Sequence, residues 1–189
     1  LGYLGHAGPA GDATPRLVHR LDKDTSGVLL VSKRLAVHRV LQHSMGDGHA
    51  NKTYVAVVHG TPRPIRGTIT LPLGTDPVDR RRVAVREDGS PSETRYERAA
   101  CADGVSLLRC TLVTGRMHQI RVHLAASGWP IVGDQVYGRK GDAFPRQALH
   151  AWRLSLPHPI TGHLLELTAP LPSDMAQLCA ALTLSWCPD

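Results

Sequence analysis

Three short stretches bring together side chains that can do chemistry. They are His19-Arg20-Leu21-Asp22, Lys52-Thr53-Tyr54 and Gly115-Arg116-Met117-His118-Gln119-Ile120-Arg121. The first runs directly into the apolar segment "GVLLVS", so a cluster of charges stands at the mouth of a strand. A carboxylate in that place can serve as nucleophile or base. A strand tyrosine offers a flat apolar ring with one polar tip, and arginines offer planar partners for carboxylate or phosphate. Each group taken alone also has a plainer reading. Asp22 can cap the turn into Thr25-Ser26-Gly27. Tyr54 can be a core aromatic sharing one strand face with Ala56 and Val58. Arg116 and Arg121 can be solvated helix charges.

The surrounding pattern supplies elements to position them. Gly27 to Ser32 reads as a short buried strand. Ser32 is placed to cap a helix over "KRLAVHRVLQHSM", with Leu35, Val40 and Leu41 on one face and Gly46 and Gly48 stopping it. Lys52 to Gly60 is a β-branched strand, "TPRPIRG" a proline-marked loop and "TITLPL" a short strand. "DPVDRRRVAVREDGSPSE" reads as an exposed basic excursion. "ETRYERAA" and "VSLLRCTLVT" form antiparallel strands joined at Asp103-Gly104. In "GRMHQIRVHLAASG" the period changes to that of a helix, with Ile120, Leu124 and Ser127 on one side and Gly128 ending it. A loop follows from Trp129. "ALHAWRLSL" and "LLELTAPL" form a hairpin around "PHPITGH", and Ser173 caps a last helix over about Asp174 to Leu184. Many strands with interspersed helices predict an α+β fold with a mainly antiparallel sheet.

Composition narrows the partners. Basic residues number 22 against 16 acidic ones, giving a net charge of +6, and most of the basic residues are arginine. This suits a polyanion such as nucleic acid, although an arginine-favouring genome gives the same composition. The sequence has no apolar run of membrane-spanning length, and "LGYLGHAGPAGDATP" reads as a loop, so no signal peptide is expected from these first residues. Neither a dinucleotide-binding glycine motif nor a P-loop occurs, and Ser26 lies in no Gly-x-Ser-x-Gly elbow. His118 and His123 are five apart, a poor helical spacing for two metal ligands, so no metal is expected. The four cysteines form no Cys-x-x-Cys pair. Cys101 and Cys110 read as small core residues in a reducing cytoplasm.

Taken together, "HRLDKDTSG", "KTYVAVVHG", "SLLRCTLVTGRMHQIRVHLAASGWPIVGDQVYG" and "ALHAWRLSLPHPITGHLLELTAPLP" resemble the RluA-type pseudouridine synthases, in the family's order and from about Leu17 to Leu171. The resemblance implies a curved, mainly antiparallel sheet flanked by helices, with a cleft near its middle. It implies isomerisation of uridine to pseudouridine in RNA without a cofactor, ribosomal RNA coming before transfer RNA as substrate. Asp22, Tyr54 and Arg121 take the catalytic places. Asp22 is the nucleophile or base, Arg121 pairs with it while Arg116 contacts an RNA phosphate, exchange of those two roles being the alternative, and Tyr54 stacks on the uracil. Arg20, Arg116, Thr25, Ser26, His118 and Gln119 face the RNA. Arg20 fills the space that a flipped uridine leaves, and His19 is structural.

Two departures stand out. The family usually carries a strand with a Lys-Pro-x-Gly segment before the aspartate motif, and often a small N-terminal RNA-binding domain. Residues 1–189 are therefore expected to form one catalytic domain lacking its first strand. Met117 stands where the family has a small polar residue. A monomer is expected. The alternatives are a catalytically inactive RNA-binding module and, behind it, a metal-independent RNA hydrolase using His19 and Asp22.

Overall fold

A computed structural model describes residues 15–186. Residues 1–14 of the expected leading loop, and Cys187, lie outside the described residues. The elements, in chain order, are β1 (Arg16–Leu17), β2 (Ser26–Gly27), β3 (Val31–Ser32), α1 (Leu35–Gly46), β4 (Asn51–His59), β5 (Arg66–Ile69), β6 (Leu73–Thr75), β7 (Val83–Val85), β8 (Thr94–Ala102), β9 (Val105–Leu112), α2 (Gln119–Ala126), β10 (Leu149–Pro157), β11 (Leu164–Thr168) and α3 (Ser173–Ala181).

The main sheet runs β11-β10-β4-β9-β8-β5, with every neighbour antiparallel. The β-branched run of β4 forms its spine. Val55, Ala56, Val57 and Val58 are all fully buried, so both sheet faces are covered there. Each such valine contributes about 1.5–3 kcal/mol by leaving water. On one face, β4 directs Lys52, Tyr54, Ala56 and Val58 to the side where α2 lies, because side chains alternate along a strand. On the other, Met175 and Cys179 of α3 join the core. The β8–β9 hairpin turns at Asp103 and Gly104, both with positive φ (46° and 75°), the two-residue geometry that matches the strand twist. Bulges at Arg98/Ala100 and Ala151/Arg153 bend β8 and β10.

Two short connections aim the chain at the site. Strand β2 adds in parallel to β10 through Gly27. A Cβ at Gly27 would lie 2.2 Å from the Ala151 carbonyl oxygen, and its φ is +125°, so only glycine fits. The segment after α2 is stitched to the sheet by His59 N–H to Pro130 O (2.9 Å) and Val132 N–H to Val57 O (2.9 Å).

Several local expectations are corrected. The strand over Gly27 to Ser32 is broken into β2 and β3, with Leu29 exposed between them. Ser32 does not cap α1. It is buried, its hydroxyl donating to Arg16 O and meeting His38 Nδ1 at 3.1 Å, and Arg34 is the residue at the cap. Val40 faces solvent, because the buried stripe of α1 is His38 and Leu41. The basic excursion contains β7, which pairs with β6 just before it, and this hairpin buries Leu73 and Val83 against Val122 and Tyr137. Helix α2 begins at Gln119, since His118 takes a left-handed conformation (φ 54°) that stops it from extending backwards. Pro172 precedes α3 at the cap position, so Ser173 is its first residue. Cys101 is exposed, whereas Cys110 is buried in the core.

Candidate active site

Asp22 sits on a tight turn. Its carbonyl accepts the Thr25 N–H at 3.0 Å, and Asp24, at the third place of that turn, has φ 67°, a conformation aspartate tolerates better than most residues. The turn is held from behind. Gln147 donates to Lys23 O (2.5 Å) and to Thr25 Oγ1 (3.0 Å). Arg146 donates to Asp24 O (3.1 Å) while its guanidinium is fixed bidentately on Asp174 (2.7 and 2.9 Å).

Arg121 projects from the first turn of α2 and joins two carboxylates. It grips Asp134 with Nε and Nη2 (2.7 and 2.9 Å), and its Nη1 reaches Asp22 Oδ2 at 3.4 Å. Its ring partner is Tyr137, 5.0 Å from the guanidinium carbon. Burial disfavours the charge on Arg121, but the Asp134 and Asp22 carboxylates outweigh it and push its pKa up. Burial likewise works against ionised Asp134. The Arg121 contacts and the Val136 and Tyr137 N–H groups prevail and hold its carboxyl below the usual range. The expected Arg121–Asp22 pair is therefore present, as the longer arm of a three-residue network whose tighter arm goes to Asp134.

Asp22 and Arg121 open onto a cleft of about 520 Å³ that also receives Arg20, Lys52, Tyr54, Thr25, Arg116 and His118. Burial, and after it the Asp22 carboxylate, pushes the Tyr54 hydroxyl up to about 12, so it carries its proton at neutral pH. Arg20, Arg116 and Met117 are exposed at the mouth. His118 Nδ1 lies 2.8 Å from the Tyr137 hydroxyl, which accepts the Val83 N–H at 2.9 Å. Burial lowers the pKa of His118 and agrees with a neutral ring.

Two predicted RNA contacts are instead engaged within the protein. Gln119 is 2% exposed. Its Oε1 accepts from Thr114 Oγ1 and Arg116 N–H, and its Nε2 donates to Glu93 O and Thr94 Oγ1. An amide has two donors and two lone pairs, so nothing is left for RNA. Ser26 bonds His150 Nδ1 at 2.9 Å, within the sheet rather than the cleft. His19 accepts the Leu30 N–H at Nε2 (3.0 Å), as a structural residue would. Sequence reasoning missed Asp134, Tyr137, Arg146 and Gln147. All four lie in the long loop after α2, where the one available signal was an acid directly after the apolar "PIVG". Among the described residues no group of three or more His, Cys, Asp or Glu side chains is placed to hold a metal ion, and no helix is long and apolar enough to cross a membrane.

A bulged antiparallel sheet with a cationic cleft, closing on an aspartate turn, defines an α+β domain with a solved counterpart. The human RNA pseudouridylate synthase domain containing 1 superposes with a TM-score of 0.76 at 28% identity, covering 93% of this chain and 83% of that one. Residues 7–126 match the model of the family described as RNA pseudouridylate synthase. The chain belongs to that family. It is 43% identical to the ribosomal large subunit pseudouridine synthase D of Nitrosomonas europaea over 95% of its length, and 43% identical to the uncharacterized RNA pseudouridine synthase YlyB of Bacillus subtilis over 94%. It spans 55% and 60% of those two relatives.

Proposed function

We propose that this protein isomerises uridine to pseudouridine in structured RNA, with Asp22 as nucleophile or base. The observation that carries the proposal is the convergence of Asp22, Arg121 and Tyr54 on one cleft. The reaction breaks the bond from N1 to C1′, turns the uracil and joins C5 to C1′. The C5 proton leaves and N1 gains one, so the product is an isomer and no electrons are transferred. Asp22 supplies the carboxylate that attacks or accepts a proton. Arg121, fixed by Asp134, holds that carboxylate in place. Tyr54 stacks on the base with its hydroxyl protonated. Arg20, exposed two residues before Asp22, fills the space in the RNA left by the flipped uridine.

The RNA is ribosomal ahead of transfer RNA. The name of the Nitrosomonas relative and the basic composition support this choice. The same reading places the protein in the cytoplasm with its RNA, working as a monomer and without a cofactor. An inactive binding module is a weaker reading, since it would not need Asp22, Arg121 and Tyr54 held together. A hydrolase using His19 is weaker still, since burial lowers the pKa of that ring and one nitrogen is engaged by the Leu30 N–H. The test is tritium release from RNA labelled at uridine C5. Release without strand cutting is expected. Binding without release would leave an RNA-binding module, and cut strands would indicate the hydrolase.

A further inference from the structure

Lys52 lies on the same face of β4 as Tyr54, two residues away, and lines the same cleft. Its ammonium has an unusual setting. Among the described residues no carboxylate lies within ion-pair distance of it, although the cleft encloses much of the side chain. Burial alone pulls its pKa down, with no compensating acid. A half-enclosed cation costs free energy unless an anion meets it.

The neighbours of Lys52 are also cationic or small. A Cβ on Gly115 would lie 3.4 Å from the ammonium, so that glycine leaves the space above it open beside Arg116. On the other side, the charge of Lys52 acts on His19 and lowers its pKa further, after burial. The carboxylate of the cleft, Asp22, is already engaged by Arg121. Two residues along a strand span about 7 Å, so the Tyr54 ring and the Lys52 ammonium can be reached by one nucleotide.

We propose that Lys52 is a phosphate-binding residue that anchors the backbone of the target nucleotide while Tyr54 holds its base. This rests on the proposed action on RNA. The ammonium supplies a point charge to an anionic oxygen, and Gly115 provides the clearance for that oxygen. Lys52 is thus a positioning residue. It is expected to act on capture of the substrate rather than on the bond changes at C1′.

The experiment uses Lys52→Met, which keeps most of the stem volume and removes the charge, and Lys52→Arg, which restores it. RNA affinity is measured against salt, beside single-turnover tritium release on a hairpin labelled at uridine C5. Lys52→Met should lower the salt slope by about 0.7–0.9 and raise KM about tenfold. The rate at saturating enzyme should change little, and Lys52→Arg should recover most of the binding. An unchanged slope with folded Lys52→Met overturns the proposal, as does a loss confined to the saturated rate. A second measurement needs no variant. The wild-type protein is acylated with an N-hydroxysuccinimide ester, with and without saturating RNA, and its lysines are followed by peptide mass spectrometry. Protection of Lys52 is expected, and equal labelling would overturn the proposal even if Lys52→Met did not fold. Both binding readouts stand apart from catalysis. If wild-type protein binds RNA but releases no tritium, the isomerase reading fails while Lys52 is still judged by its slope.

Discussion

The division of labour between neighbouring carboxylates is the clearest question at the scale of single residues. Asp22 reaches Arg121, whereas Asp24 is exposed and serves the turn through its positive φ. Asp22→Asn keeps the size of the side chain and removes its charge, so tritium release should disappear while RNA binding persists or tightens slightly. Asp24→Asn should be mild, because asparagine also tolerates the left-handed region. If Asp24→Asn were the dead variant, the assignment within this turn would be wrong. Asp134 is the third acid, and its side chain is only 1% exposed. Asp134→Asn leaves the buried Arg121 guanidinium half-paired. The expected loss is about 3–5 kcal/mol of stability, read as a lower urea midpoint, together with slower turnover as Arg121 is freed to shift. Normal turnover in a folded Asp134→Asn protein would show that the Asp22 turn alone orients Arg121.

At the scale of elements, the start of α2 carries both His118 and Arg121, and Gln119 decides where that start lies. Its amide ties the strand β8 to the loop before the helix through four hydrogen bonds. Gln119→Ala strands several buried partners at once and should cost about 1–3 kcal/mol. Its effect on single-turnover rate should exceed its effect on RNA affinity, since the amide has no capacity left to contact RNA. A loss confined to affinity would return Gln119 to the list of RNA contacts. One turn further along α2, His123 bonds Thr94 Oγ1 through Nδ1 and Leu71 O through Nε2. A neutral ring with its proton on Nε2 satisfies both, so helix, strand and the approach to β6 are joined by one uncharged side chain.

That histidine belongs to a pattern across the whole molecule. His19, His118, His123 and His150 all have pKa values lowered chiefly by burial from the ordinary 6.5. A base with a depressed folded-state pKa binds fewer protons in the folded chain than in the unfolded one over the interval between the two values. Its contribution to stability is therefore complete above about pH 6.5 and is lost as pH falls through the folded values. Urea midpoints should decline steadily from about pH 7 to about pH 5. A flat profile over that range would show that these rings take up protons as easily when folded. Asp134 extends the same trend below the usual carboxylate range, because its depressed pKa has the same sign.

The sequence by itself determined the α+β class, most strand and helix positions, and the three stretches that meet at the cleft. These are local properties. The period of β4, the Asp103-Gly104 turn and the Gly128 stop are written in neighbouring residues, and the family's motifs stand in order along the chain. Where local signals compete, the reading stopped short. Ser32 resembles a helix cap, but its hydroxyl is taken by Arg16 O and His38 of α1, and Val40 fits the apolar period yet faces solvent because β10 packs on the Leu41 side of α1. Only the tertiary structure decided how Arg121 divides itself between Asp22 and Asp134, which are 112 residues apart in sequence order across the domain. The same holds for Gln147 and Arg146, which brace a turn more than a hundred residues before them. A buried charge acquires its meaning from whatever surrounds it, and for Lys52, Asp134 and Arg121 the surroundings come from strands and loops that are distant in the chain and adjacent in the fold.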